Sequence, residues 1–330
     1  MKFGEATKLA TELLVASGMQ SSEAEETARC IVASDAWGIG SHGLMRLPFY
    51  LERLKAGGIN PRAKLKEITN LPALRIYDGE KGIGHWQLKR GAEVAAQVAD
   101  SQGIAAVGIG NSNHCGALGI YVWPMLELDQ VGIVFSTGPA VMPPWGGNKP
   151  LLSTSPLAAG IPSNPPTVID LATSAVARGK IAAKAQKNEE LEPGWAFDEN
   201  GNPTTDAKLA LKGMLAPLGG VKGYALAVLV ESLTGALIGP KLAADIPDMF
   251  DVNQASLPQE ISHFVIAIKA EALSVDGNNR LADLNSRVQE SGGRLPGSKR
   301  QNPFNIAESS EITITDSVAA ELESWRSKLL

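Results

Sequence analysis

The segment Gly38-Ile39-Gly40-Ser41-His42-Gly43 decides between two folds, because it matches G-x-G-x-x-G, a pattern of many dinucleotide-binding sites. That pattern carries meaning only where it follows a β-strand and opens a helix within a βαβ unit. Here it follows a predicted helix, residues 23–36, and no acidic residue at a second strand end follows about 20 positions later. The sequence therefore argues against a Rossmann fold, and we expect the glycines to shape a turn that presents Ser41 and His42.

The segments around this turn predict an α/β (α+β) protein. A helix is expected at residues 44–55, closed by Gly57-Gly58, followed by a polar connector over residues 60–70. Strands are expected at residues 74–77, 104–109, 131–135, 167–171, 264–268 and 312–314, and a helix at residues 87–101. Because strands and helices do not alternate regularly, the sheet should not be doubly wound.

Two helices are predicted in the second half of the chain. Residues 224–238 are apolar nearly all round, with Glu231 as the only charge, so this helix should be fully buried. A final helix is capped by Asp316-Ser317. It places Val318, Leu322, Trp325 and Leu329 on one face.

Charge is unevenly distributed over the 330 residues, of which 20% are charged, for a net charge of −5. Between residues 103 and 169 the only charged side chains are Glu127, Asp129 and Lys149. Glycine, proline, asparagine and serine interrupt this stretch too often for a membrane span, so it indicates buried strands, ligand-facing loops or a subunit interface. The absence of a dense basic patch disfavours nucleic acid as the main partner. Two cysteines and no visible secretory segment make the cytoplasm the expected compartment.

Two of the four histidines lie among small polar residues in predicted loops, where an imidazole can act as a general acid or base. These are His42 and His114, and the alternative for each is a structural histidine that bonds a turn. His85 and His263 are interpreted as structural. Arg46 lies one helical turn after His42, where it could bind a carboxylate, although it could equally be solvated or ion-paired. No histidine or cysteine spacing predicts a metal site.

Two segments are candidates for binding anions. Gly219 to Gly223 precedes a helix and includes Lys222, so free backbone donors and a lysine converge there. Residues 170–174 end a strand with an acid and two hydroxyls, and Arg178 and Lys180 follow. For the later lysines, Lys184 and Lys187, a solvated helix face is the simpler interpretation.

Eight segments, taken in order, resemble the family of type 2 malate/L-lactate dehydrogenases, which includes sulfolactate, ureidoglycolate and diketogulonate enzymes and reductases of cyclic imino acids. The segments are Ser41 to Tyr50, Asn111 to Gly119, Pro144 to Gly147, Thr154 to Pro156, Asp170 to Lys180, Gly201 to Asp206, Gly219 to Ala227 and Arg294 to Gly297. Two positions depart from the family pattern, Ser155 and Ala225.

The resemblance implies a homodimer with NAD or NADP in a mixed-sheet, non-Rossmann domain. It implies a helical region, residues 1–75 packed with a C-terminal helix in residues 300–330, and an NAD(P)-binding and catalytic region, residues 76–299. The candidate catalytic residues are Ser41, His42, Arg46 and His114. The candidate cofactor-binding residues are Thr154, Ser155, Asp170, Leu171, Ala172, Thr173, Ser174, Lys180, Lys222, Gly223, Ser298, Lys299 and Arg300.

The function expected from these residues is hydride transfer between nicotinamide and the 2-carbon of a small 2-hydroxy or 2-oxo acid. The substrate could be malate, lactate or sulfolactate, and the alternative is a cyclic 2-imino acid of the piperideine- or pyrroline-2-carboxylate type. Two other classes stay open: a hydrolase or lyase that uses His114 with Cys115 or Ser112, and a binding protein that has lost catalysis.

Overall fold

The computed structural model describes residues 1–330, which form one large mixed sheet, one small sheet and eleven helices. The helices are α1 (Phe3–Ala16), α2 (Ser21–Ala36), α3 (Leu47–Ala56), α4 (Gly84–Gln102), α5 (Trp123–Leu126), α6 (Arg178–Gln186), α7 (Ala207–Lys212), α8 (Val221–Glu231), α9 (Ala270–Leu273), α10 (Gly277–Glu290) and α11 (Asp316–Leu329). The strands are β1 (Lys66–Leu71), β2 (Leu74–Asp78), β3 (Ile104–Ser112), β4 (Gln130–Ser136), β5 (Leu157–Ile161), β6 (Thr167–Leu171), β7 (Ala196–Phe197), β8 (Pro203–Thr204), β9 (Met214–Leu215) and β10 (Ile261–Lys269). None of the helices is both long and apolar enough to cross a membrane.

The large sheet has the order β1-β2-β3-β10-β4-β5-β6, and the small one has the order β8-β7-β9. Only β2 and β3 pair in parallel, because α4 carries the chain between them, and every other pair is antiparallel. The late strand β10 lies between β3 and β4, so its burial on both faces explains its apolar sequence. The expectation of a mixed, non-Rossmann sheet is confirmed.

The main hydrophobic core joins the N-terminal helices, α4, the sheet and α11. The final helix α11 packs against α1 and α3 and buries Val318, Leu322 and Trp325, as its spacing predicts. Its N-cap is Thr315, one residue before the expected Asp316-Ser317, and its hydroxyl accepts from the Val318 amide. The division of the chain at residues 75 and 299 stays a prediction.

Three local expectations are wrong. The second half of the expected connector, residues 60–70, belongs to the edge strand β1 (Lys66–Leu71), whose side chains are mostly exposed and so lack an apolar signal. Residues 312–314 form no strand, and only the neighbouring Glu311 makes a bridge, to Lys2. The helix expected at residues 224–238 is α8 followed by a π-helical turn, Ser232–Ala236, and it is not fully buried. Its outer face stays exposed in the single chain, although Glu231 itself is buried.

Candidate active site

The turn between α2 and α3 is built on a buried carboxylate. The segment Gly40–His42 and the segment Leu44–Arg46 form two consecutive 3₁₀ turns. Beneath them, Asp35 Oδ2 accepts a hydrogen bond from the Leu44 amide at 2.7 Å. A Cβ atom at Gly43 would overlap the Asp35 carboxylate, so glycine is required there. Burial raises the Asp35 pKa to about 7. The glycines that resemble a dinucleotide fingerprint therefore serve this turn, as expected.

The turn brings His42 beside His114, whose loop follows β3. Their rings lie 6.0 Å apart, centroid to centroid, with 21° between their planes. His42 Nδ1 lies 3.0 Å from the Ser41 hydroxyl oxygen. Two residues that are 72 positions apart in the chain thus border the same space.

His114 is held by two partners at one nitrogen. The Gly116 amide donates to His114 Nδ1 at 3.3 Å, and the Tyr50 hydroxyl lies 2.7 Å from the same atom. Because an amide can only donate, Nδ1 must accept, and the proton of the neutral ring is on Nε2. This nitrogen makes no hydrogen bond within the chain, which leaves it available to a ligand.

Both imidazoles are neutral at physiological pH. Burial, with a smaller effect of the Arg46 charge, lowers the His42 pKa to about 4. Burial and the neighbouring His42, His85 and Arg46 lower the pKa of His114 well below its usual value. A neutral imidazole can accept a proton and can also donate a hydrogen bond.

Arg46 presents its charge without an acidic partner. Its Nε donates to the Ser41 carbonyl at 2.6 Å, which fixes the guanidinium beside His42. Its carbon Cζ lies 4.5 Å from the ring centroid of Phe250 and 5.8 Å from that of Phe49. No carboxylate forms a salt bridge with Arg46, and its two terminal nitrogens have no hydrogen-bond acceptor in the chain. This half-buried fork can bind a ligand carboxylate through two parallel hydrogen bonds.

The structure adds two residues that our sequence reasoning did not identify. Tyr50 follows His42 and Arg46 at intervals of four residues, a spacing that could have placed all three on one helical side. His85, interpreted as structural, lies 5.0 Å from the Tyr50 ring and 6.4 Å from the His114 ring, and neither of its nitrogens has a partner. His263, in contrast, bonds Ser136 and the Asn113 carbonyl, as a structural histidine does.

One group of predicted cofactor residues connects to the His114 loop. Asp170 Oδ2 accepts from the Gly119 amide at 3.0 Å and lies 3.7 Å from Arg300. Arg300 stacks on Trp37 at 5.1 Å, and its Nη1 is buried without a hydrogen bond. Burial raises the Asp170 pKa, opposed by Gly119 and by Arg300. Asp170 therefore connects Arg300 to the loop that follows His114, through its hydrogen bond with the Gly119 amide.

A second group of predicted residues surrounds the end of β6. The Thr173 amide and hydroxyl both donate to the Thr154 carbonyl at 2.9 Å. Ser155 is buried in a left-handed conformation, φ +41°, and its amide donates to the Ser153 hydroxyl. The Ser174 hydroxyl donates to the Val176 carbonyl. These contacts position the backbone of both segments. Leu171 and Ala172 are half-buried beside them.

The remaining predicted residues lie at the surface or in turns. Gly219 and Gly220 have positive φ angles, as the tight turn into α8 requires. Lys222 lies exposed in the first turn of α8, and Gly223 packs on the backbone of Leu218. Lys180 and Lys299 are exposed without ion pairs, and Ser298 is half-buried. No contact in the chain joins Lys180 or Lys222 to the histidines.

Comparison with known proteins identifies the family. The sequence profile described as malate/L-lactate dehydrogenase matches residues 1–323. The chain is 34% identical to a (2R)-3-sulfolactate dehydrogenase (NADP(+)) of Chromohalobacter salexigens, covering 97% of this chain and 96% of that one. It is 32% identical to a Δ1-pyrroline-2-carboxylate/Δ1-piperideine-2-carboxylate reductase of Pseudomonas aeruginosa, covering 98% of both. The solved sulfolactate dehydrogenase of Methanocaldococcus jannaschii superposes with a TM-score of 0.89 at 29% identity, covering 100% of this chain and 97% of that one.

Proposed function

Because the chain belongs to the malate/L-lactate dehydrogenase family, we propose that it is an NAD(P)-dependent oxidoreductase acting on small 2-hydroxy and 2-oxo acids or on cyclic 2-imino acids. The reaction moves a hydride between nicotinamide and the 2-carbon of the acid. The observation that supports this function best is the unpaired guanidinium of Arg46 fixed beside two neutral histidines.

Arg46 would hold the carboxylate of the substrate. Its Nε is already bound to the Ser41 carbonyl, so the terminal nitrogens face the ligand in one orientation. Such preorganised, charge-assisted bonds are stronger than neutral ones and also set the position of the 2-carbon.

His42 and His114 would divide the proton chemistry. The Nε2–H of His114 can donate a hydrogen bond to the carbonyl or imine group and so stabilise the negative charge that develops on its oxygen or nitrogen. His42 can carry the proton: its Nδ1 is beside Ser41, and its Nε2 takes a proton from the hydroxy acid in one direction and returns it in the other. Burial is the main cause of the low His42 pKa, and a carboxylate bound at Arg46 offsets the smaller effect of the Arg46 charge, which favours proton uptake for reduction.

The residues near Asp170 fit an anionic dinucleotide, and NAD(P)H, when bound, supplies the hydride. Arg300 Nη1, 3.7 Å from Asp170, is buried without a hydrogen bond, and Lys222 lies at the N-terminus of α8 beside free backbone donors. Lys180, Lys299, the turn at Ser298, and Thr154, Thr173 and Ser174 around the end of β6 are further candidates for phosphate or ribose oxygens.

Cys115 weighs against the hydrolase alternative. Burial raises its thiol pKa to about 12, so a reactive thiolate is disfavoured.

We further propose a cytoplasmic homodimer in which the outer face of α8 and its π-helical extension is covered. Leu229 is 50% exposed and Leu237 is 76% exposed in the single chain, beside the exposed Leu226 and Val228. Contiguous apolar surface of this kind marks an interface. Both cysteines are unpaired, in keeping with a reducing compartment. Light scattering of the purified protein tests the dimer, and a monomer at micromolar concentration would exclude it.

The histidine assignment is tested with His42→Ala and His114→Ala. We expect both proteins to fold and to bind NADPH or NADH, as followed by fluorescence, and at least one to lose turnover by about 10²- to 10⁴-fold. We also expect kcat of the wild type to vary with pH as His42 titrates, and kcat of the His42 variant to lose that variation. Full activity in both variants would exclude the assignment.

A further inference from the structure

Two phenyl rings border the guanidinium of Arg46. Phe250 lies 4.5 Å from Cζ and Phe49 lies 5.8 Å from it. The two rings contact each other edge to face, with centroids 5.5 Å apart and 89° between their planes. A carboxylate bound at Arg46 would therefore have an aromatic surface directly beside it.

The segment that carries Phe250 is anchored by a buried arginine. Arg53 of α3 is 2% exposed and donates to the backbone carbonyls of Gln254, at 3.3 Å, and Leu257. The Asp248 amide also donates to Gln254 Oε1 at 3.0 Å. Phe250 itself is 41% exposed, but these bonds fix the loop that carries it, so its ring keeps its position over Arg46.

Two cations in this part of the chain, Arg178 and Lys241, are already paired with carboxylates, and Asp251 beside Phe250 accepts hydrogen bonds from Asn253 and Gln254. Asp248 lies 3.3 Å from Arg178, and Lys241 lies 2.6 Å from Glu260. The Arg53 guanidinium binds carbonyl oxygens. A second anionic group on the substrate would thus lose water against phenyl rings, whereas an apolar chain or ring would gain contact area.

We propose, on the basis of the oxidoreductase function above, that Phe250 and Phe49 select singly charged substrates. The preferred class is a 2-oxo acid or cyclic 2-imino acid with one carboxylate and an apolar chain or ring. Dicarboxylic and sulfonated 2-oxo acids are poorer substrates. The sulfolactate dehydrogenases among the relatives act on the second type, so this preference separates the chain from them within one fold.

The test compares kcat/KM for two sets of substrates with the intact enzyme and both reduced cofactors. The first set is 2-oxo-4-methylpentanoate, phenylpyruvate and Δ1-piperideine-2-carboxylate, and the second is oxaloacetate and sulfopyruvate. We expect the best member of the first set to exceed both members of the second by at least about tenfold, the size of one hydrophobic contact. The ratio of kcat/KM between the open-chain acids and the ring substrate of the first set then shows which of the two the enzyme prefers.

Substitutions then assign the preference to Phe250. Phe250→Arg adds a positive charge beside Arg46, and we expect it to shift the ratio toward the doubly charged acids by about tenfold or more. Val252→Arg adds the same charge in the same segment at an exposed position and should leave the ratio unchanged. Should Phe250→Arg fail to fold, Phe250→Ser still removes the apolar surface and should lower the ratio.

The outcomes separate this inference from the function on which it rests. A wild type that reduces oxaloacetate or sulfopyruvate best overturns the inference and leaves the oxidoreductase function intact. An unchanged ratio in a folded Phe250 variant overturns the role of that ring. If no 2-oxo or 2-imino acid is reduced with either cofactor, the proposed function itself fails.

Discussion

The hydrogen bond between Tyr50 and His114 makes a sharp test of the site. Tyr50→Phe removes only the hydroxyl group, which lies 2.7 Å from His114 Nδ1, while the buried ring stays. The Gly116 amide, at 3.3 Å, is then the only remaining partner of that nitrogen. Without the Tyr50 hydroxyl, the His114 ring should lose its fixed orientation, and the tautomer with its proton on Nε2 should be less strongly favoured.

The expected loss follows from the burial of this bond. Removing one partner of a buried polar atom costs about 1–3 kcal/mol. If the activation free energy rises by this amount, kcat falls by about 5- to 150-fold. KM for the acid should change little, because Arg46 and its bond to Ser41 are untouched.

Steady-state kinetics, followed through the absorbance of the reduced nicotinamide, measure both constants. Tyr77→Phe, at a half-buried tyrosine of β2, is the matched control and should keep kcat. Thermal unfolding of both variants separates a catalytic effect from a loss of stability. A kcat for Tyr50→Phe within twofold of the wild type, in a folded protein, would refute the assigned role of the bond.

Two further predictions concern the charged groups of the same turn. Arg46→Lys should raise KM for every acid by about tenfold or more, because an ammonium cannot reproduce the planar fork, and unchanged KM values would remove Arg46 from the site. Asp35→Asn should stabilise the protein at pH 8 but hardly at pH 4. Burial raises the folded-state pKa of Asp35 to about 7, so wild-type stability falls as the pH rises from the unfolded value of about 4 toward 7, by at most about 4 kcal/mol. Thermal unfolding at several pH values measures this, and a pH-independent difference would contradict it.

Much of the fold was predictable because its signals are local. Apolar runs marked β3, β4, β6 and β10, and helical spacing marked α2, α4 and α11. Context alone excluded a Rossmann fold, since the glycine segment at 38–43 followed a helix. The strand β1 escaped prediction because an exposed edge strand needs no apolar side chains, and α8 was misjudged because an apolar composition does not show that every face of a helix is covered within the chain.

The sequence by itself determined the family, the mixed fold and the pairing of His42 with Arg46, because those two residues lie one helical turn apart. Only the tertiary structure showed that His114 stacks beside His42, that Tyr50 binds it, and that Phe250 covers Arg46. Periodicity specifies neighbours within a turn or a strand. Contacts between residues 64 to 204 positions apart depend instead on how the sheet orders its strands and on the buried Arg53, which holds the Phe250 segment in place.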